Sequence, residues 1–81
     1  MKLIVQIPCL NEEETLPATI ADIPREIDGL ERVEILIIDD GSTDNTAEVA
    51  RRCGADHIVR FPQNRGLGHA FKAGFDNALR L

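Results

Sequence analysis

Three short polar clusters hold the chemistry-bearing side chains of this chain: Pro8-Cys9-Leu10-Asn11-Glu12-Glu13, Asp39-Asp40-Gly41-Ser42-Thr43-Asp44 and Asn64-Arg65-Gly66-Leu67-Gly68. Asp39 and Asp40 are adjacent, so in extended backbone their side chains point to opposite sides and cannot form a close acid/base pair. One is expected to be structural and the other to face a ligand. A carboxylate in that place can accept hydrogen bonds from a base edge or a ribose hydroxyl, and Gly41 lets the backbone turn sharply beside it. The competing reading is that both acids only cap the turn and the helix that follows.

Asn11 and Glu12 follow Pro8, which fixes the backbone where the first apolar run ends and keeps these side chains near the cluster after Ile38. Glu12 can bind ribose or base; for Asn11 an Asx turn and a ligand contact stand equal. Glu13 and Glu14 read as acids complementing a helix dipole. Asn64 to Gly68 put two glycines, an Arg and free N–H groups at a helix start, which suits phosphate oxygens, although a plain glycine turn has the same composition. His57, His69 and Lys72 read as structural or surface residues. No GxGxxG follows the first apolar run and no GxxxxGK[ST] occurs, which argues against a nicotinamide-dependent domain and a P-loop enzyme.

The elements that must position these clusters follow from hydrophobic period. Leu3 to Ile7 is an apolar, β-branched run of the kind that forms a parallel strand, and Pro8 stops it. Leu16, Ile20, Ile23 and Ile27 mark one face of a first helix, with Pro17 tolerable in its first turn and Pro24 ending or kinking it. Val33 to Ile38 is a second buried strand. Ser42, Thr43 or Asp44 can cap a second helix with Ala47, Ala50 and Cys53 inward and Gly54 closing it. Asp56 to Arg60 is a short third strand, and a third helix carries Leu67, Phe71, Gly74, Phe75 and Ala78 along one side. The order β-α-β-α-β-α predicts an α/β fold with a parallel sheet in strand order 3-2-1, half of a doubly wound sheet, truncated before a fourth strand beside strand 1. Strand 1 is then an exposed edge open to self-association. All three polar clusters fall on the carboxyl rim of that sheet, where open α/β sheets bind ligands.

The chain has 81 residues, 43% hydrophobic and 28% charged, with a net charge of −5, which is ordinary for a soluble globular segment. Lys and Arg are scattered, so there is no footprint for duplex nucleic acid. Cys9 and Cys53 lack CxxC or Cys/His spacing, which fits a reducing compartment and a cytoplasmic location. No run approaches the ~20 apolar residues of a membrane span.

Ile7-Pro8-Cys9-Leu10-Asn11-Glu12-Glu13, Ile37-Ile38-Asp39-Asp40-Gly41-Ser42-Thr43-Asp44-Asn45-Thr46 and Asn64-Arg65-Gly66-Leu67-Gly68 with Ala70 and Gly74 resemble the opening half of a family-2 glycosyltransferase of the Rossmann-like, three-layer GT-A fold, nearest the dolichyl- or polyprenyl-phosphate sugar synthase type. The resemblance covers nearly the whole chain, so residues 1–81 are expected to be the N-terminal, incomplete nucleotide-sugar-binding part of such a domain. It implies that Pro8, Leu10 and Glu12 border base and ribose, that Ile38 lines the base, that Asp40 binds the base, and that Asp39 supports it. With Asn11 and Gly66 from the residue reading, these form the expected donor site. The family commonly has Tyr where this chain has Leu10, so ring stacking on the base is lost. The resemblance further implies a nucleoside diphosphate sugar donor, a polyprenyl-phosphate or saccharide acceptor, and Mg2+ or Mn2+ held by a DxD motif beyond Leu81. The alternative from a different class is a non-catalytic nucleotide-binding or interaction module with the same fold.

Overall fold

The uninterrupted apolar run before Asp39 can be buried on both faces only in the middle of a parallel sheet, and the computed structural model puts it there. Residues 2–81 are described, apart from the side chain of Leu67. The elements are β1 (Lys2–Cys9), α1 (Leu16–Ala21), β2 (Arg32–Asp40), α2 (Thr46–Arg52), β3 (His57–Phe61) and α3 (Leu67–Ala78). β2 pairs in parallel with β1 on one side, Cys9 beside Asp39, and with β3 on the other, Asp40 beside Phe61. The expected order 3-2-1 is the observed one, with β1 at an edge.

Side-chain alternation along β2 divides the core. Ile35 and Ile37 pack with Leu16, Ile20 and Ala50 from α1 and α2, whereas Leu36 and Ile38 pack with Ala70 of α3. The result is a three-layer α/β/α arrangement. β1 is only half-buried along most of its length, because one of its edges has no neighbouring strand among the described residues.

β1 runs on through Pro8 to Cys9, past the residue expected to stop it, and two expectations for the helices also need correction. The first helix is shorter than its apolar period predicts. Glu12, Glu13 and Glu14 lie ahead of it in a turn closed by the Leu16 N–H donating to the Glu12 carbonyl (2.9 Å), and the helix stops at Ala21, ahead of Pro24. Ile23 still packs on the core, but Ile27 is exposed in the connection. Arg25 anchors that connection: its guanidinium donates to the carbonyls of Val33 (2.9 Å) and Gly54 (2.6 Å) and to the Asp56 carboxylate (2.8 Å).

The second correction concerns α3, whose phenylalanines do not face the sheet. Phe71 and Phe75 are 53% and 60% exposed, and the buried residues are Ala70 and Gly74. The cause is the close seating of the helix. A Cβ at Gly74 would lie 2.3 Å from Gln6 Oε1 and 3.0 Å from Ile38 Cδ1, so the face against β1 and β2 accepts only small residues. The Leu67 side chain, expected on the same side, lies outside the described residues.

Candidate functional site

β2 extends through Asp40, so both aspartates obey the strand alternation and point to opposite faces as expected. Asp39, 1% exposed, lies on the α1/α2 side. Its Oδ1 accepts the Ser42 N–H (3.0 Å), and its Oδ2 has no hydrogen bond and stands 3.6 Å from Arg60 Nε. Asp40 lies on the α3 side, where Oδ1 accepts the Arg65 N–H (2.7 Å) and Oδ2 the Gly66 N–H (3.0 Å). Two N–H groups of the Asn64–Gly68 segment, which the sequence reading offered to phosphate oxygens, are therefore engaged by Asp40.

The loops after β1 and β2 are joined by cross-links from side chain to backbone. Asn11 takes a positive φ of 52°, which Asn tolerates better than most residues. Its N–H donates to Ser42 Oγ (2.9 Å), and its Oδ1 accepts the Thr43 N–H (2.8 Å). The Glu12 N–H donates to Thr46 Oγ1 (2.9 Å), and the Glu13 N–H to Asp44 Oδ2 (3.3 Å). The Thr46 hydroxyl holds the Asp44 carboxyl below its usual range against the opposing effect of desolvation, with backbone N–H donors adding to the shift. The N-cap of α2 is Asn45, which makes no side-chain cap hydrogen bond, so none of the three expected candidates holds that position; Asp44, one residue earlier, accepts the Thr46 N–H (3.0 Å) and also ties the first loop down. Asn11 serves in this structure as a strap between loops.

What these loops enclose is a cleft of about 280 Å3, lined by Pro8, Cys9, Leu10, Glu12, Asp40, Asn64, Gly66 and Ala70. Its walls pair apolar surface with two carboxylates, a composition suited to a flat heteroaromatic ring with N–H and hydroxyl donors at its edge. Burial first, then the charges of Glu12 and Asp39, push the Cys9 thiol up to about 11. Cys9 is therefore a protonated apolar wall and not a nucleophile.

The model of the family described as glycosyl transferase family 2 matches residues 4–79. The chain belongs to that family. The uncharacterized glycosyltransferase Rv0539 of Mycobacterium tuberculosis is 46% identical over 70 residues, covering 86% of this chain and 28% of the relative. Among solved structures, glucosyl-3-phosphoglycerate synthase of Mycobacterium tuberculosis in complex with uridine diphosphate superposes with a TM-score of 0.66 at 33% identity, over 88% of this chain and 27% of that one. The mannosyltransferase PcManGT of Pyrobaculum calidifontis in complex with GDP-Man and Mn2+ also has a TM-score of 0.66, at 26% identity, over 93% of this chain and 24% of that one. This family-2 chain thus spans about a quarter of the length of these relatives. The GT-A fold read from the sequence is the fold found.

Of the expected donor-site residues, Pro8, Leu10, Glu12, Asp40 and Gly66 line the cleft of this family-2 domain together. Asn11 sits behind it, and Ile38, 0% exposed, lies in the core under α3 and does not reach the cleft wall. Sequence reasoning missed Cys9, Asn64 and Ala70 as wall residues; the signal available for Ala70 was its small side chain at the start of α3. A divalent cation does not fit the residues present. Among the described residues no three His, Cys, Asp or Glu side chains gather to hold a metal ion, Asp39 and Asp40 diverge, and both Asp40 oxygens accept backbone N–H groups.

Proposed function

We propose that this chain is the nucleotide-binding part of a glycosyltransferase that moves a hexose from a nucleoside diphosphate sugar to a lipid phosphate or saccharide acceptor. The observation that carries the reading is the cleft at the carboxyl ends of β1 and β2, where Leu10, Glu12 and Asp40 meet in a chain of glycosyl transferase family 2. Base and ribose fit its mixed apolar and carboxylate walls. Relatives solved with uridine diphosphate and with GDP-Man and Mn2+ support a nucleotide-sugar donor.

Within this reading Asp40 accepts an N–H of the base, Glu12 accepts ribose hydroxyls, and Leu10 and Pro8 exclude water from the ring. A bound Mg2+ or Mn2+ would neutralise the diphosphate leaving group, and we assign its ligands to sequence following Leu81. The 81-residue chain alone therefore binds nucleotide weakly and transfers no sugar. Its unpaired thiols suit a reducing compartment, and on that ground we assign it to the cytoplasm.

The test is calorimetry of the full-length enzyme against UDP-, GDP- and CDP-sugars with Mn2+, repeated on Asp40→Ala. One donor class should bind, and the substitution should weaken it about tenfold or more, the effect of losing a hydrogen bond to a charged group. Equal binding of every donor by Asp40→Ala would remove Asp40 from the site. Donor binding with no turnover by the full-length protein would favour a non-catalytic module, and robust turnover by the 81-residue chain would contradict the division of labour drawn here.

A further inference from the structure

The segment from Gln63 to Gly66 crosses the turn after β2 with no side chain between the two backbones. A Cβ on Gly41 would lie 2.3 Å from the Asn64 nitrogen and 2.4 Å from the Gln63 carbonyl carbon, closer than non-bonded atoms come. Gly41 also has φ of +78°, so a side chain there is disfavoured twice, by backbone conformation and by the crossing. From the strand side, Asp40 takes the N–H of Arg65 and of Gly66, and the Gly66 N–H is shared with Asn64 Oδ1 (2.9 Å). The segment is therefore seated by two independent features, and through Asn64 and Gly66 it forms one wall of the cleft.

We propose that Asp40 and Gly41 are positioning residues, which seat the Asn64–Gly66 strap on the end of β2 and so build the cleft wall against which the nucleotide packs. The inference rests on the nucleotide reading above and adds a role to it. A carboxylate offers about four acceptor positions. Two of those on Asp40 hold the strap, which fixes the orientation of the others toward the cleft. Gly41 acts only through the strap, because it has no side chain to offer a ligand.

Gly29 supplies the control. Its φ is +86°, similar to that of Gly41, but nothing lies within 4 Å of a Cβ built there. Gly29→Ala therefore carries the same backbone strain without displacing the strap. The experiment combines amide hydrogen exchange by NMR with titration of UDP and GDP on the full-length protein and its Gly41→Ala, Asp40→Asn and Gly29→Ala variants. The Arg65 and Gly66 amides should be protected in the parent and in Gly29→Ala, and should exchange about tenfold faster or more in Gly41→Ala and Asp40→Asn. Gly41→Ala should lose nucleotide affinity about tenfold or more with the Asp40 side chain intact, while Gly29→Ala binds like the parent at a similarly lowered melting temperature. Unprotected Arg65 and Gly66 amides in the parent would overturn the seating. A Gly41→Ala chain with a freed strap and parental nucleotide affinity would overturn the positioning role. If the strap behaves as stated but no chain, the parent included, binds either nucleotide, the seating stands and it is the nucleotide reading that fails.

Discussion

Cys9 stands at the lip of the cleft as a buried thiol whose ordinary value of 9.0 is pushed up to about 11, by burial first and then by the carboxylates of Glu12 and Asp39. Because the folded value lies above the ordinary one, the folded state favours the protonated thiol. That contribution is complete below pH 9 and is lost as the pH rises through 11. In neutral buffer, maleimide followed by mass spectrometry should label the half-buried Cys53 and leave Cys9 unmodified until the chain is unfolded; equal labelling of both in the folded chain would contradict this. At this scale the sequence discloses which way side chains point but not whom they meet. The division of Asp39 from Asp40 follows from strand period alone. The partners of Asp40, 25 and 26 residues further along the chain, depend on how the third loop folds back over Gly41, and no local pattern encodes that.

Among the elements, β2 carries the fold. Ile37 is fully buried between α1 and α2, and truncation to Ala should cost about 2–5 kcal/mol by loss of transfer energy and cavity formation. Against the ~4–12 kcal/mol that about 0.05–0.15 kcal/mol per residue allows a chain of this size, that is a large share, visible as a lowered denaturant midpoint. The ends of the strands away from the cleft are tied by charge. Glu34 accepts from His57 Nε2 (2.8 Å), with Arg32 Nε at 2.9 Å and Lys2 Nζ at 3.6 Å. Its carboxyl is lowered by the His57 hydrogen bond first, with help from the Arg32 and Lys2 charges against desolvation. Burial would raise the Asp56 carboxyl, but the Arg25 hydrogen bond and charge and the Ile35 N–H outweigh it and leave it lowered. Lowered carboxyls stabilise the fold above their ordinary values, 4.5 for Glu34 and 3.8 for Asp56, and that stability is lost as pH falls through the folded values. Asp56→Asn should flatten this acid limb in circular dichroism melts, and an unchanged pH profile would contradict the assignment. Order and type of the elements were legible from the sequence because each apolar run has one period. The facing of α3 was not, since hydrophobicity favours Phe71 and Phe75 while the close approach at Gly74 selects Ala70 and Gly74 for the sheet.

For the whole molecule, the free edge of β1 and the exposed Phe71 and Phe75 leave apolar surface and backbone groups that the described residues do not cover. In the isolated chain the same edge is open to a second copy. Size-exclusion chromatography with light scattering should show concentration-dependent association that Phe71→Lys with Phe75→Lys reduces, and a monodisperse monomer at every concentration would contradict it. The central claim, that the cleft between the ends of β1 and β2 takes a nucleotide, is tested most directly by titrating UDP and GDP into the isotope-labelled full-length protein and following its amide resonances. The account predicts that shifts concentrate at Leu10, Glu12, Asp40 and Gly66 with one of the two nucleotides; shifts confined to surfaces away from these residues, or no saturable change with either nucleotide, would contradict it.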